Sequence, residues 1–243
     1  PAELATINLY RQNLADYTNV PKILAEDAFD VREGRVCSFP LPKPSQEKEP
    51  SMIEVKLPVF DAVVGNFPFI RQELLNRYIP GYKDKLERLL AEEWSNALGG
   101  IGRVIEVSGQ ADIYVYLFFH TAKLLKEGGR MGIITSNAWL DVAYGHALQH
   151  FFLRYFKLIA IVESRCEPWF EDSAVNTVFT ILEPCSSKEE RDNNLVNFVK
   201  VKKRLKELIP WNMQFESNLR WRNLERMAMQ ISNAGRKLLK FEG

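Results

Sequence analysis

From Ala111 to Leu182, amphipathic stretches alternate with short apolar runs, and few folds accommodate that rhythm. Ala111 to Lys126 carries a helical period with an apolar face, and Gly128-Gly129 after it has the form of a C-terminal cap. Arg130 to Thr135 (RMGIIT) then reads as a buried strand. Ala143 to Phe156 repeats the helix, Lys157 to Glu163 (KLIAIVE) repeats the strand, and Val175 to Leu182 (VNTVFTIL) forms a last β-rich run. Upstream, Phe60 to Val64 (FDAVV), ending at Gly65, is an apolar run of the kind a strand buried on both faces shows. The pattern predicts the α/β class: a mainly parallel sheet with helices on both faces.

The remaining segments are less regular. Pro1 to Ala15 places Leu4, Ile7 and Leu14 near helical spacing. Lys22 to Ala25 is a short strand candidate whose end, Glu26-Asp27-Ala28-Phe29-Asp30, would face a crevice. Phe39 to Glu54, with Pro40, Pro42, Pro44 and Pro50, reads as a loop. Arg71 to Gly109 is helical and highly charged, and its Gly99-Gly100-Ile101-Gly102 lacks the spacing of a nucleotide loop. The core is expected over 1–185, with 186–243 as a basic C-terminal segment. From Lys188 to Gly243 there are 13 Lys and Arg against 7 Asp and Glu, which leaves 19 against 24 for residues 1 to 187. That basic end suits a nucleic-acid surface or, equally, a solvated helix face. Cys37, Cys166 and Cys185 are far apart and the three histidines cluster nowhere, so neither a metal site nor a disulfide framework is expected. His120, His146 and His150 read as solvated or satisfied by neighbours, and Trp94 and Trp139 as packing residues. No apolar run reaches the roughly 18 residues of a membrane span, so no membrane partner is expected.

Asn66-Phe67-Pro68-Phe69, directly after the FDAVV strand, carries a specific chemical proposal. An amino group conjugated to an aromatic ring is a poor nucleophile because its lone pair is delocalised. The Asn66 side-chain oxygen and the Phe67 carbonyl can together accept its two N–H bonds and draw the nitrogen toward tetrahedral geometry, its lone pair aimed at an electrophilic carbon. Pro68 biases Phe67 toward an extended backbone, which fixes where that carbonyl points. Phe69 would stack on the ring. A base inside a duplex is out of reach and must be flipped out at a cost of a few kcal/mol. Stacking at about 1–3 kcal/mol per base offsets much of it. A second aromatic is therefore expected; Phe170 is the candidate, although residue type alone favours an ordinary core residue before a strand.

Five blocks in one order carry a resemblance: AELATINLYRQNL, ILAEDAFDV, FDAVVGNFPFIRQE, ADIYVYLFF with KLLKEGGRMGIITSNAWLDVAYGHALQ, and WFEDSAVNTVFTILE. The chain resembles the N6-adenine DNA methyltransferases of restriction–modification systems, particularly the large single-chain restriction-methylase group. The resemblance implies a Rossmann-like S-adenosylmethionine-dependent methyltransferase fold and transfer of the sulfonium methyl to N6 of a flipped adenine. It also implies double-stranded DNA as partner, a recognition or nuclease domain in the same parent chain, and a cytoplasmic setting in a bacterium or archaeon. It assigns the target amine to Asn66, Phe67, Pro68 and Phe69, base stacking to Phe69 and Phe170, and the cofactor's adenine to Asp27 with Ala28 beside it. Val175 to Val178 keeps the family's spacing after the stacking aromatic.

The sequence departs from the family at three points. Phe67 stands where the family has its first proline, which keeps the carbonyl and gives up the locked φ. Leu117 stands where an aromatic under the cofactor is frequent. The family's glycine motif and ribose-binding acid, on strands between those ending at Asp27 and Asn66, have no counterpart here. The chain is therefore expected to be an N-terminally incomplete fragment that binds S-adenosylmethionine poorly or not at all by itself. Two other functions compete: a protein glutamine N5-methyltransferase, whose family shares the tetrapeptide, and a non-catalytic DNA-binding remnant.

Overall fold

A computed structural model of the chain describes residues 2–10, 21–40, 52–94, 111–170, 175–209 and 217–238. These fall into two compact units, Pro1–Val59 and Phe60–Gly243.

The first unit opens with α1 (Ala2–Tyr10). Lys22 to Ala25 does not form the expected strand, since among the described residues no neighbouring strand pairs with it. Asp27 instead caps a single 3-10 turn, Ala28–Asp30, its Oδ1 accepting from the Phe29 amide at 3.1 Å. The segment expected to be a loop begins and ends in strands: β1 (Val36–Pro40) pairs antiparallel with β2 (Met52–Lys56). Residues 41–51, which hold three of its four prolines, lie outside the described residues. Alternation in β1 buries Cys37 and Phe39, which pack with Leu57 and, around them, Leu24, Val31 and Val55. Pro40 occupies the strand's last position, where a missing amide costs the ladder least.

The second unit is built on β3 (Phe60–Asn66), β4 (Leu125–Ser136), β5 (Phe156–Ser164), β6 (Thr177–Pro184) and β7 (Asn197–Val201), in the order β3-β4-β6-β5-β7. The α/β class holds, and of the five strands described in this sheet four run the same way, with β6 reversed, so the mainly parallel sheet is a mixed one. β3 and β4 are parallel, as are β5 and β7, whereas β6 runs antiparallel to both β4 and β5. The link between β5 and β6 carries no helix among its described residues, so β6 turns back where a helical crossover would have kept it parallel. The sheet also extends beyond Cys185, where the sequence reading ended the core: β7 belongs to it.

Along the chain, α2 (Gln72–Tyr78), α3 (Tyr82–Trp94) and α4 (Ile113–Ala122) lie between β3 and β4, α5 (Gly145–Tyr155) between β4 and β5, α6 (Lys188–Asp192) between β6 and β7, and α7 (Leu205–Leu208) and α8 (Ser217–Leu238) after β7. The glycine run at 99–102 is outside the described residues. Gly128-Gly129 is not a cap: α4 ends at Ala122 and both glycines fall inside β4, where the pairing with β3 jumps from Phe60↔Leu125 to Ala62↔Arg130.

Both faces of the sheet carry helices, unevenly. Register sets Gly65, Ile133, Thr180 and Ile161 in one row across four strands, and Ile133 and Thr180 are fully buried. α4 and α5 cover this face with an aromatic layer in which Phe118 meets Phe152 at 5.0 Å and Phe119 meets Phe151 at 4.2 Å between ring centroids. Each fully buried Phe contributes about 1.5–3 kcal/mol, so this layer holds the helices firmly to the sheet. Trp94 and Trp139 are buried in it, against Phe151 at 4.9 Å and Phe152 at 5.3 Å. His120 is buried on Glu93, Nδ1 to Oε1 at 2.7 Å, tying α4 to α3, while His146 and His150 are exposed. On the opposite face α8 packs Met227 and Ile231 toward Val199 and Val201 of β7. β3 is an edge strand and is not buried on both faces; Val64 is 83% exposed.

Among the described residues, no helix is long and apolar enough to cross a membrane, and no group of His, Cys, Asp and Glu could hold a metal ion. The three cysteines are free.

Candidate active site

β3 delivers Asn66 to the carboxyl edge of the sheet, opposite Ile134 of β4, with its residue exposed to solvent. The next amide, Phe67 N–H, donates to the Ile134 carbonyl at 3.1 Å, so the ladder continues one residue past the strand. The half-buried Phe67 ring turns inward and meets Phe118 of α4 edge to face, 5.2 Å between centroids. Pro68 is exposed, and Phe69 is half-buried with its ring 6.0 Å from that of Phe170 at an interplanar angle of 66°. At the far end of the loop the Ile70 carbonyl accepts from the Ile113 amide at 3.3 Å, where α4 begins. The tetrapeptide is thus held at both ends, with Asn66 on the surface.

Beside it runs a polar chain that the sequence reading did not single out. Tyr114 and Tyr144 share a hydrogen bond between their hydroxyls at 3.1 Å, and the Tyr144 hydroxyl donates to Asp112 Oδ2, also at 3.1 Å. Burial holds both phenols above their ordinary range. This chain ties the start of α4, next to Ile70, to the loop entering α5. The only signal for it was the Asp112-x-Tyr114 spacing at a helix start, which carries no pairing information.

The structure therefore gathers Asn66, Phe67, Pro68, Phe69 and Phe170 around one surface. Phe170 is half-buried, Val175 half-buried and Val178 fully buried. Asp27 and Ala28 belong to the other unit, where Asp27 is half-buried and Ala28 exposed. Leu117 is buried in α4.

The sequence pattern of the family described as Eco57I restriction-modification methylase matches residues 11–170. The chain is similar to the Type II methyltransferase M.BstVI of Geobacillus stearothermophilus, 31% identical over 113 residues, covering 46% of this chain and 17% of that protein. It is similar to the Type II methyltransferase M.PaeR7I of Pseudomonas aeruginosa, 31% identical over 116 residues, covering 48% and 17%. The chain thus spans 17% of the length of each of these curated relatives. Among solved structures, a subunit of a type I restriction–modification complex aligns with a TM-score of 0.46 at 15% identity, over 95% of this chain and 37% of that one. A class I S-adenosylmethionine-dependent methyltransferase from Listeria monocytogenes aligns with a TM-score of 0.43 at 11% identity, over 71% and 42%.

Proposed function

We infer, from the premise that the chain belongs to the Eco57I restriction-modification methylase family, that it forms the target-amine site of a DNA adenine-N6 methyltransferase within a restriction–modification system. One observation carries this reading: an exposed Asn66 at a strand's carboxyl end stands three residues before a ring, Phe69, that meets a second ring, Phe170, at 6.0 Å. An acceptor pair beside two aromatic rings suits a planar base that carries an exocyclic amine.

The residues act in sequence. Phe69 and Phe170 take the flipped adenine, and their stacking offsets the few kcal/mol of unpairing. The Asn66 side-chain oxygen and the Phe67 carbonyl accept the two N–H bonds of N6, so the nitrogen presents its lone pair outward. The amine's surplus proton, acidic once the C–N bond has formed, leaves through the same two acceptors to solvent at the exposed face of Asn66. No step needs a side-chain general base.

S-adenosylmethionine, when bound, supplies a methyl carbon activated by its sulfonium. Asp27 has the chemistry for a part of such a group: it is a half-buried carboxylate at the end of a loop, and a carboxylate accepts from an amine. Asp27 and the Ala28 backbone would hold the cofactor's adenine. Duplex DNA is the partner this reading requires, and the segment 186–243 is the proposed start of a DNA-recognition region.

The test is made with the full-length polypeptide in a host free of adenine methylation. Nucleoside mass spectrometry should find N6-methyladenine with the wild type and none with Asn66→Ala. Wild-type levels of the modified base in the Asn66→Ala strain would remove the assignment.

A further inference from the structure

A second hollow opens on the same edge of the sheet, beyond Phe170. Its volume is about 500 Å³, and its walls include Asn137 just past β4, Arg165 just past β5, Asn176 just before β6, Lys200 of β7, and Trp169. Main-chain bonds keep the walls in place: the Arg165 amide donates to the Val201 carbonyl at 2.8 Å, and the Asn137 amide to the Asn176 carbonyl at 2.9 Å. The Ser164 hydroxyl accepts from the Cys166 and Glu167 amides at 3.4 and 3.2 Å, closing the turn that carries Arg165.

The acids of this cleft are committed to the fold. Glu163 lies 4.0 Å from the Lys200 ammonium, and Glu167 Oε1 accepts from the Leu205 amide at 2.7 Å. Arg165 is exposed, and among the described residues its guanidinium meets no carboxylate. Among those residues the carboxamides of Asn137 and Asn176 likewise have no hydrogen-bonded partner, and the buried Trp169 indole N–H finds no acceptor. Among the described residues, a guanidinium without an ion-pair partner, beside two carboxamides, suits a ligand that carries an anionic group next to edges that both donate and accept.

We propose that this cleft holds the nucleotide of the target strand adjacent to the extruded base, with its phosphodiester on Arg165 and its base edge on Asn137 and Asn176. The inference rests on the methyl-transfer reading for the identity of the neighbouring base. Position argues for it, because Trp169 lines the cleft and the next residue, Phe170, reaches Phe69. Whatever enters the cleft is therefore a neighbour of whatever stacks there. Ligands of open α/β sheets bind off the carboxyl ends of strands, and β4, β5 and β7 all end here. A guanidinium grips a phosphodiester with paired N–H donors, and a carboxamide matches the donor and acceptor edges of a base.

The experiment uses the full-length polypeptide and unmethylated plasmid DNA. Arg165→Ala should raise KM for DNA about tenfold with a smaller effect on kcat, and should lower the slope of log affinity against log salt by about one, the signature of one lost phosphate contact. Asn137→Ala combined with Asn176→Ala should raise KM and leave that slope unchanged. Thermal melting of the Arg165→Ala protein should match the wild type, since the side chain is exposed. An unaltered KM and salt slope in Arg165→Ala would overturn the assignment, whatever Asn66→Ala does. Conversely, an Asn66→Ala enzyme that kept full kcat would overturn the methyl-transfer reading, with the Arg165 slope still reporting contact with the strand.

Discussion

Phe69 and Phe170 meet edge to face with ring centroids 6.0 Å apart, although one follows β3 and the other follows β5. The sheet order explains the meeting. Both strands end at the same edge, and the loops that leave them converge over β4 and β6. In this arrangement the rings occupy each other, so a base entering between them replaces a contact of about 0.5–1.5 kcal/mol with stacking of about 1–3 kcal/mol.

Phe170→Ala is accordingly expected to lower kcat/KM on unmethylated plasmid DNA by about 10- to 100-fold, the loss of one stacked face. Phe170→Tyr should retain most activity, because it preserves the π surface. Steady-state methylation assays on the full-length polypeptide decide the matter. Equal activity in Phe170→Ala and wild type would mean that Phe170 only packs.

Phe67 does work that a proline could not. Its amide bonds the Ile134 carbonyl at 3.1 Å and its ring packs on Phe118 at 5.2 Å, so packing aims the Phe67 carbonyl where a locked ring would otherwise do so. Phe67→Pro removes the donor and the ring contact together. The expected loss of unfolding free energy is about 1–3 kcal/mol, read from urea denaturation. Restoring the family's proline should therefore destabilise this chain, and an unchanged midpoint would refute the packing role.

Strand positions were legible from apolar runs: RMGIIT and KLIAIVE became strands with buried periods, FDAVV became a strand although it lies exposed at the sheet edge, and the tetrapeptide fell at its end. Strand direction was not legible, because antiparallel β6 and a parallel strand present the same apolar run; the chain between them decides. β7 escaped notice because Asn197 to Val201 alternates half-buried with exposed residues, Lys200 among them, and resembles a charged linker. The hairpin of β1 and β2 hid behind its prolines. Of the candidate site, Asn66 to Phe69 could be proposed from chemistry, and Phe170 too, though residue type alone did not separate it from a core residue and the family's spacing was what favoured it. The cleft around Arg165 needed the sheet order, since its walls come from four separate stretches of chain.

Tyr114 gives the fold an alkaline limit. Burial first, and then the hydrogen bond with Tyr144, push its hydroxyl well above the ordinary value of 10. Because the folded value is raised, the unfolded chain loses this proton first, so the stabilisation is complete below pH 10 and declines as pH rises beyond it. Lys123 acts in the opposite sense: burial lowers its value, so stability from this group grows as pH climbs through the window just below 10.5. Comparing wild type with Tyr114→Phe at each pH cancels the lysine. The variant should be less stable by about 1 kcal/mol near neutrality and should show a shallower decline above pH 10. Parallel curves would show that the phenol does not titrate with unfolding.

Gly145 packs directly against the main chain of Trp139. A β-carbon built there would overlap the carbonyl oxygen of Trp139 and stand 2.6 Å from its carbonyl carbon, both backbone atoms that cannot swing aside. The same Trp139 carbonyl accepts from the Gln149 side chain at 2.9 Å, and its residue is buried against Phe152, so the turn is fixed from three sides. Gly145→Ala must therefore displace the single turn 137–140, whose first residue walls the proposed strand-binding cleft. The expected cost is about 3 kcal/mol, at the upper end for forced overpacking. Gly81 supplies the control: its φ is +74° but nothing lies within 4 Å of its β-carbon position, so alanine there costs only the roughly 1–2 kcal/mol of the left-handed backbone. Urea denaturation of the two variants separates the causes. If Gly145→Ala proved no worse than Gly81→Ala, the turn would be free to move, and the rigidity ascribed to the Asn137 wall would be lost with it.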